Sequence, residues 1–234
     1  MEPVIALTQV GKRFRSGKEE YWAVKNVSFE IREGEFVVLT GRSGSGKSTL
    51  LNVIGAIDEC SEGMVEILGE KIYELSDKRK TRFRLQNVSF IFQDFGLLPF
   101  LSAFENIEFP LLLSGWSRKQ RTTAVQESAE LVGIQEKLKS KPHELSGGQQ
   151  QRVAIARAIA CKTPLLLADE MTANLDEDNA KQILSLLKNL QHINNTTILV
   201  ASHDPLVKYY SHREIEMSDG KTVNDHECTV TAAH

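Results

Sequence analysis

An eight-residue stretch in the first quarter of the chain has the composition of a phosphate-binding loop. Gly41-Arg42-Ser43-Gly44-Ser45-Gly46-Lys47-Ser48 fits the pattern G-x-x-x-x-G-K-[ST], and it lies between the apolar run FVVL and the helix-forming segment STLLNVI. Glycines let the backbone curl so that successive N–H groups point at phosphate oxygens, and the following helix adds its partial positive charge. The pattern predicts a nucleotide site running to Thr49, in which Lys47 reaches the β- and γ-phosphates and Ser48 coordinates Mg²⁺.

Two adjacent carboxylates, Asp169 and Glu170, follow a second apolar run, Leu165-Leu166-Leu167-Ala168. An unbroken apolar run is typical of a central parallel strand, and ligands of open α/β sheets bind at the carboxyl ends of such strands. We expect Asp169 to hold Mg²⁺, directly or through water, and Glu170 to accept a proton from the attacking water or to orient it. Alone, such a pair more often begins a helix, but the phosphate loop in the same chain favours the catalytic interpretation.

A second glycine-containing segment, Leu145-Ser146-Gly147-Gly148-Gln149, precedes a helical pattern. Ser146 and Gln149 fit a capping box, which leaves the two glycines unexplained, since each costs a helix about 1 kcal/mol against alanine. Two glycines at a helix start expose backbone N–H groups, so this is a second candidate anion-binding terminus. One nucleotide does not need both termini from the same face, and the second is available to a nucleotide held by another subunit.

Short apolar runs alternate with longer helical patterns, which predicts a mainly parallel α/β sheet. The predicted strands are Val4–Leu7, Val27–Ile31, Phe36–Leu39, Met64–Leu68, Val88–Ile91, Leu165–Ala168, Ile198–Ala201 and Glu214–Met217. The predicted helices are Lys47–Ala56, Arg118–Val132, Gln149–Ala160 and Glu177–Ile193. Hairpin-like strands before Gly34 indicate an antiparallel β layer attached to the parallel core.

No strand signal appears between residues 94 and 162, where helical patterns are interrupted by Pro99, Pro110 and Pro142. We therefore expect one domain with an inserted helical subdomain over residues 94–162 and a nucleotide-binding core over residues 1–93 and 163–222. The polar residues 223–234 lack periodicity and are predicted to form a loose tail. A basic run, Lys78 to Arg84, is interpreted as the solvated face of a short helix, with a phosphate or headgroup site as the alternative.

The composition is that of an ordinary water-soluble domain. The 234 residues are 41% apolar and 25% charged with a formal net charge of −3, so nothing in the charge favours nucleic acid as a partner. The cysteines Cys60, Cys161 and Cys228 are far apart and lack metal spacing, which predicts free thiols in a reducing cytosol. We expect neither a signal peptide nor a membrane-spanning segment, since no apolar run approaches the roughly 18 residues that a span needs.

The phosphate loop, LSGGQQQR and LLLADE together resemble an ATP-binding cassette ATPase, the nucleotide-binding subunit of ABC transporters, from about Val4 to Lys221. The resemblance implies a P-loop NTPase (RecA-like) core of α/β class, with an antiparallel β layer and an inserted α-helical subdomain. Phe14 takes the position of the aromatic that stacks on adenine. Gln93 takes that of the glutamine linking Mg²⁺ and the attacking water to the transmembrane partner, and His203 that of the histidine that senses the γ-phosphate.

The same resemblance implies an assembly and two cofactors, ATP and Mg²⁺. Two subunits of the family associate head to tail around two ATP molecules, so that Ser146, Gly147, Gly148 and Gln149 of each face the γ-phosphate bound by the other. The loop 174–176 matches the segment that crosses this dimer interface. Met171 and Ala173 replace the family's usual proline and glycine, which leaves the stiffness of the turn after Glu170 and the turnover rate open.

The segment after Gln93, DFGLLPFLSAFENIEFPLLLSG, resembles the lipoprotein-release, macrolide-export and FtsE-like cell-division branch. Members of that branch serve permeases of few transmembrane helices, of the FtsX/MacB-like type, which implies export or mechanotransmission at the cytoplasmic face of the cell membrane. Two alternatives stay open: a soluble ABC ATPase acting on DNA or ribosomes, and an ATP-dependent regulator without transport. The sequence shows no coiled-coil insertion or zinc-binding cysteines, which disfavours the first, and it has both Glu170 and His203, which disfavours the second.

Overall fold

The computed structural model of the protein describes residues 2–17 and 19–228, and its strands form two sheets. The strands are Ile5–Ser16 (β1), Glu19–Ile31 (β2), Phe36–Thr40 (β3), Glu62–Ile67 (β4), Glu70–Lys71 (β5), Val88–Ile91 (β6), Leu165–Asp169 (β7), Thr197–Ala201 (β8), Arg213–Ser218 (β9) and Lys221–Glu227 (β10). The helices are Lys47–Ile54 (α1), Asp77–Asn87 (α2), Ala103–Leu113 (α3), Arg118–Leu131 (α4), Gly147–Ala160 (α5), Glu177–Asn194 (α6) and Pro205–Tyr210 (α7). Short 3₁₀ turns cover Ile72–Glu74, Gln135–Lys137 and Pro142–Glu144.

The larger sheet has six strands in the order β10-β9-β3-β8-β7-β6. All its pairs are parallel except β10 with β9. Every residue of β7 and β8 is buried, as their unbroken apolar sequences predict. The carboxyl ends of β3, β7 and β8 therefore meet at one edge of the sheet, which brings together the predicted phosphate loop, Asp169 at the end of β7, and His203.

Alternate side chains of the central strands enter two different cores. On one face, Val37, Leu167 and Leu199 pack with α1 and with the second, antiparallel sheet, whose strand order is β2-β1-β4-β5. On the other face, Leu166 and Ile198 pack with the helices of the subdomain between β6 and β7 and with α6. The fold class is thus confirmed: a parallel α/β core carries an antiparallel β layer and a helical subdomain.

The hairpin of the antiparallel sheet is longer than predicted. β1 and β2 extend through residues 8–16 and 19–26, which the apolar patterns at Val4–Leu7 and Val27–Ile31 do not reach. These outer arms are rich in exposed charged residues, and the pairing of β1 with β2 shifts register between Leu7 and Val10. A charged, bulged strand has no apolar alternation, so sequence periodicity could not reveal it.

Helix α3 is also absent from the predicted helices, because the sequence pattern treats Pro110 as an interruption. Instead Pro110 lies inside α3, whose start is fixed by a capping box between Ser102 and Glu105. At the other end, the Ser114 hydroxyl donates to the Pro110 carbonyl over 2.9 Å. Capping at the start and hydrogen bonding at the end keep one helix through the proline. Pro142, by contrast, begins a 3₁₀ turn, as a proline at a first helical position does.

One further expectation is wrong, and another is confirmed only in part. Residues 223–227 are not a loose tail but part of β10, which pairs with β9 and is tied by Arg213 to both oxygens of Asp225 over 2.6 Å each; residues 229–234 lie outside the described part. The basic run is only partly a solvated face of α2, because Lys80 is 8% exposed and bonds Glu59, and Arg84 donates to the Ala56 carbonyl.

Among residues 2–17 and 19–228, no helix combines the length and the apolar character that crossing a membrane requires.

Candidate active site

The phosphate loop occupies the link between β3 and α1, and its shape depends on glycine. Gly41 has φ of 140° and Gly46 has φ of 101°, both in the region that side-chain-bearing residues avoid. A Cβ on Gly41 would lie 2.3 Å from the Met217 carbonyl oxygen, and one on Gly46 would lie 2.3 Å from that of Ala23. Neither position can take another residue without moving the backbone of a neighbouring strand.

The start of α1 is open toward the loop. No side chain caps it at Gly46, so its first N–H groups stay available for an anion. The ammonium of Lys47 donates to the carbonyls of Gly41 over 2.8 Å and Arg42 over 3.2 Å, and the residue is 7% exposed. A buried cation and uncapped amides therefore converge on one loop, an arrangement that suits a polyphosphate.

Asp169, the last residue of β7, carries a buried carboxylate with an oxygen, Oδ1, that has no hydrogen-bond partner. Burial raises the pKa of Asp169, and the nearby Glu170 carboxylate raises it further, while the Ser48 hydroxyl and the Lys47 ammonium lower it. An unpartnered buried carboxylate beside a hydroxyl has the donor set that Mg²⁺ prefers. Asp169 and Ser48 thus fit a divalent cation.

Glu170 and His203 form a hydrogen-bonded pair at the same edge. His203 Nδ1 lies 2.9 Å from Glu170 Oε1, and the Glu170 amide donates to the Ala201 carbonyl at the end of β8 over 2.9 Å. Glu170 itself has a left-handed φ of 47°, a conformation that is uncommon for a residue with a side chain and that clusters at functional sites. Its side chain is 13% exposed, so the carboxylate is largely shielded from water and is oriented by the histidine.

The turn after Glu170 is fixed by two side chains, Met171 and Thr172. Met171 is fully buried in the core beneath the helical subdomain. The Thr172 hydroxyl donates to Asp204, which caps α7 just after His203. Both members of the Glu170–His203 pair are therefore followed by residues that bond to each other, which holds the two turns together.

One cavity of about 710 Å³ collects most of the predicted site residues. Of the predicted set it is lined by Phe14, Gly41, Arg42, Ser43, Gly44, Gly46, Lys47, Ser48, Thr49, Gln93, Glu170 and His203. Ser45 and Asp169 do not line it: both are buried beneath it, each with one oxygen that has no hydrogen-bond partner.

Sequence reasoning missed the other half of the cavity's aromatic wall. Tyr21, Trp22 and Ala23 line it, and β1–β2 pairing places Tyr21 directly opposite Phe14, with ring centroids 5.8 Å apart. The ammonium of Lys12 lies 5.0 Å from the centroid of Phe14. The predicted strands carry no signal for this pair, because Phe14 and Tyr21 lie in the outer arms of β1 and β2, and only the register shows which residue faces Phe14. Two aromatic rings side by side give a nucleobase a broader surface than one.

The LSGGQ segment lies apart from this cavity. Ser146 and Gln149 form the predicted capping box, with Gln149 N donating to Ser146 Oγ over 3.3 Å and Ser146 N to Gln149 Oε1 over 3.0 Å. A separate cavity of about 280 Å³ is lined by Ser146, Gly148, Gln149, Arg152, Asn174, Leu175, Asp176 and Asn179. Among the described residues, the two cavities share no lining residue, so a single chain does not bring LSGGQ to its own phosphate loop.

The glycines of LSGGQ are not required by their own chain. Neither Gly147 nor Gly148 has a positive φ. A Cβ on Gly147 would find its nearest neighbour, the Phe95 ring, at 4.0 Å, and one on Gly148 would meet the Asn174 carbonyl oxygen at 3.4 Å. The space in front of Gly147 is open, in contrast to the space around Gly41 and Gly46.

Comparisons with known proteins agree on one family. A family model described as "ABC transporter" matches residues 24–173. The chain is 44% identical over 225 residues to an uncharacterized ABC transporter ATP-binding protein, MJ0796, of Methanocaldococcus jannaschii, with 93% of this chain and 94% of the relative covered. It is 38% identical over 224 residues to the macrolide export ATP-binding/permease protein MacB of Pasteurella multocida, covering 96% of this chain but 34% of MacB, so it spans about a third of that relative.

Solved structures support the same relationship. A structure described as a dimeric post-hydrolysis state of the ATP-binding cassette MJ0796 bound to ADP and Pi superposes with a TM-score of 0.93 at 40% identity, covering 96% of this chain and 98% of the other. A structure of cbiO1 from Clostridium perfringens, described as part of the ABC transporter complex cbiONQ, gives a TM-score of 0.83 at 25% identity, with 97% and 89% covered.

Proposed function

Because the chain belongs to the ABC transporter family and is an ATP-binding, ATP-hydrolysing subunit, we propose that it works as a head-to-tail homodimer that powers a membrane permease of the few-helix export or mechanotransmission type. The observation that carries the proposal is the convergence, in one cavity, of the phosphate loop with the hydrogen-bonded Glu170–His203 pair. A binding-only protein has no need of a shielded, oriented carboxylate beside a phosphate cradle.

The residues divide the chemistry among them. The N–H groups of Gly44 to Ser48 and the ammonium of Lys47 bind the β- and γ-phosphates, where they neutralise charge as it shifts toward the leaving group. Glu170 accepts a proton from a water molecule as that water's oxygen bonds to the γ-phosphorus and the bond from this phosphorus to the β–γ bridging oxygen breaks. The bond from His203 to Glu170 holds the carboxylate in position, and the exposed face of His203 is free to contact the γ-phosphate.

Mg²⁺ is the divalent cation that we assign to Asp169, Ser48 and Gln93, of which Ser48 and Gln93 line the nucleotide cavity. When bound, it would neutralise phosphate charge and orient the β- and γ-phosphate oxygens. The support is the unpartnered Asp169 Oδ1, which a bound cation or one of its waters would satisfy. Phe14 and Tyr21 are the proposed surface for the adenine ring.

The proposed dimer is supported by the separation of the two cavities. Ser146 to Gln149 form a second anion-binding terminus that faces open space in one chain, and a partner's γ-phosphate would fill it. The segment 174–176 lines the same cavity and is available to cross the interface. The dimeric structure of MJ0796 makes such an assembly reasonable for a chain this similar.

A permease partner at the cytoplasmic face of the cell membrane is supported by the relatives. Those named MacB are described as ATP-binding/permease proteins, in which the region matching this chain is about a third of the length. Affinity purification of the protein from detergent-solubilised native membranes tests the partner. We expect a permease of few transmembrane helices; recovery of the protein with no integral membrane protein would contradict the proposal.

The catalytic assignment is tested by Glu170→Gln. We expect steady-state ATP hydrolysis to fall about 10²-fold or more while ATP binding is retained, because the variant keeps the cavity and loses the base. Lys47→Ala should instead weaken binding itself, as measured by calorimetric titration with Mg-ATP. Glu70→Gln, on the exposed strand β5, is the matched control and should leave both quantities unchanged. Near-normal hydrolysis by Glu170→Gln would refute the role of Glu170.

A further inference from the structure

Between β6, which leads Gln93 into the nucleotide cavity, and the helical subdomain, the chain makes a left-handed turn. Phe95 has φ of 65° and Gly96 has φ of 55°, and the Phe95 amide donates to the Phe92 carbonyl over 3.1 Å. Glycine adopts such a φ readily, but phenylalanine rarely does. Gly96 is also required by space, because a Cβ there would lie 2.9 Å from Cδ2 of Phe92. A turn of this kind needs contacts from elsewhere in the fold to hold it.

Arg157, on helix α5, supplies those contacts. Its guanidinium donates one hydrogen bond to the Gly96 carbonyl and a second, over 2.7 Å, to the Phe95 carbonyl. The two acceptors are the carbonyls of the two left-handed residues. A guanidinium presents its donors in a fixed planar fork, so it fixes the relative orientation of two neighbouring carbonyls in a way that a single ammonium cannot. Bonds from a charged donor are also stronger than those between neutral groups.

The turn also approaches the start of α5. The Phe95 ring is the nearest group to the position that a Cβ on Gly147 would occupy, at 4.0 Å. Gly147 is the first residue of α5, and Arg157 lies nearly three turns further along the same helix. The turn is therefore bonded to α5 through Arg157 and lies near the first residue of that helix, and Gln93 is two residues before the turn. Arg157 is thus a direct link between α5 and the segment that carries Gln93.

We propose that Arg157 is a positioning residue for Gln93: its guanidinium holds the Phe95–Gly96 turn and so sets where Gln93 lies in the nucleotide cavity relative to the helix that begins at Gly147. The inference rests on the proposed function, since it presumes that Gln93 assists ATP hydrolysis. It assigns Arg157 no contact with nucleotide, and it makes hydrolysis, not ATP affinity, the quantity that Arg157 controls.

The first test compares Arg157→Met with Arg121→Met. Arg121 is a matched control, because its guanidinium is also half-buried in the helical subdomain and bonds Glu108 and the Trp116 carbonyl, far along the chain from Gln93. We expect Arg157→Met to lower kcat about 10-fold or more, with KM for ATP changed less than about twofold, because a misplaced positioning group costs rate rather than ground-state binding. Arg121→Met should leave kcat within about twofold, and Arg157→Lys should fall between wild type and Arg157→Met.

The deciding test is a double-mutant cycle with Gln93→Ala. If Arg157 acts through Gln93, adding Arg157→Met to Gln93→Ala lowers kcat by less than about twofold further. If the kcat losses of the two single variants multiply in the double variant, the proposal is overturned. It is also overturned if Gln93→Ala alone has a normal kcat, or if Arg121→Met loses as much kcat as Arg157→Met. Should Arg157→Met lose its cooperative melting transition, Gly96→Ala, which crowds Phe92 and leaves the guanidinium intact, takes its place in the cycle with the same two outcomes. Failure of wild type to hydrolyse ATP, or full activity of Glu170→Gln, would instead contradict the proposed function.

Discussion

Two helices of this molecule begin beside glycines, and they begin in opposite ways. At α1 no side chain caps the first amides, Gly46 has a left-handed φ, and the oxygens of Ser45 and Asp169 are buried without partners. At α5 the Ser146 hydroxyl accepts from the Gln149 amide, the Ser146 amide donates to the Gln149 side chain, and the glycines have ordinary φ values. At the first terminus the glycines are closely packed and buried oxygens lack partners, while at the second a capping box is complete and the space in front of Gly147 is empty.

The difference indicates where the group that completes each terminus comes from. Around α1 the glycines are demanded by the chain's own neighbouring strands, and the unpartnered groups require a ligand inside the cavity. Around α5 nothing in the chain demands glycine, so Gly147 matters only to something that approaches from outside. A phosphate bound by a second copy is such an approach, which is why the proposed head-to-tail dimer accounts for both termini at once.

The largest expected effect comes from adding a methyl group at the first terminus. Gly46→Ala places a Cβ 2.3 Å from the Ala23 carbonyl oxygen at a left-handed φ, so we expect a loss of about 2 kcal/mol or more in unfolding free energy. Binding of Mg-ATP should fall below detection in calorimetry, because the amides of the loop are displaced. Gly69→Ala is the control: its φ is 77° but no atom lies within 4 Å, so it should cost less stability and leave ATP binding unchanged.

The same methyl group at the second terminus should behave differently. Gly147→Ala meets open space at an ordinary φ, so we expect the unfolding free energy to match wild type or to exceed it by up to about 1 kcal/mol, as alanine favours helix over glycine. ATP binding by the isolated chain should be unchanged. Hydrolysis, which needs the second copy in the proposed dimer, should fall about 10-fold or more, because the methyl group occupies the space that we assign to the partner's phosphate.

The comparison fails if Gly147→Ala hydrolyses ATP at the wild-type rate. Dimerisation can be followed separately by analytical ultracentrifugation of Glu170→Gln with ATP, with and without the added Gly147→Ala change. A variant that binds ATP normally but no longer dimerises locates the defect at the interface. A variant that loses stability or ATP affinity would show that Gly147 serves its own chain after all.

How well the sequence predicts the bounds of a strand depends on whether the strand is buried in an apolar core. The central strands β3, β7 and β8 were predicted to within one residue at each end, because unbroken apolar runs have few alternatives to a buried strand. The strand β10 and the outer arms of β1 and β2 are held by pairing and by ion pairs such as Arg213–Asp225, which leave no apolar period. Local patterns cannot report contacts of that kind.

The candidate site divides in the same way. The phosphate loop, Glu170 and His203 follow strands whose carboxyl ends must meet, so motif and topology together predict their convergence. Tyr21 joins Phe14 only through the register of a bulged hairpin, and Arg157 reaches the Phe95–Gly96 turn from 61 residues away. Both contacts depend on tertiary placement that no spacing in the sequence encodes.

The smallest effect compares two aspartates, Asp169 near the start of α1 and Asp176 in the lining of the second cavity, by the response of stability to pH. Burial raises the pKa of Asp169, whereas hydrogen bonds from Asn179 lower the pKa of Asp176, which caps α6 beside the second cavity. A raised pKa means that the folded chain holds the proton more tightly, so ionisation of Asp169 costs stability as pH rises above the usual aspartate range of about 4. A lowered pKa has the opposite sign, so Asp176 contributes stability above that range and loses it as pH falls.

We therefore expect the two Asp→Asn variants to diverge in chemical denaturation without nucleotide or Mg²⁺. As the pH rises above about 4, Asp169→Asn should gain stability relative to wild type, because wild type then has to ionise the buried carboxylate. As the pH falls below about 4, the stability deficit of Asp176→Asn relative to wild type should shrink, because wild type then loses the contribution of the ionised cap. With Mg-ATP present the first gain should disappear, because wild type then has a ligand for the Asp169 carboxylate and the variant does not. Parallel pH profiles for the two variants would mean that Asp169 is satisfied within its own chain, and the contrast between the termini would no longer hold.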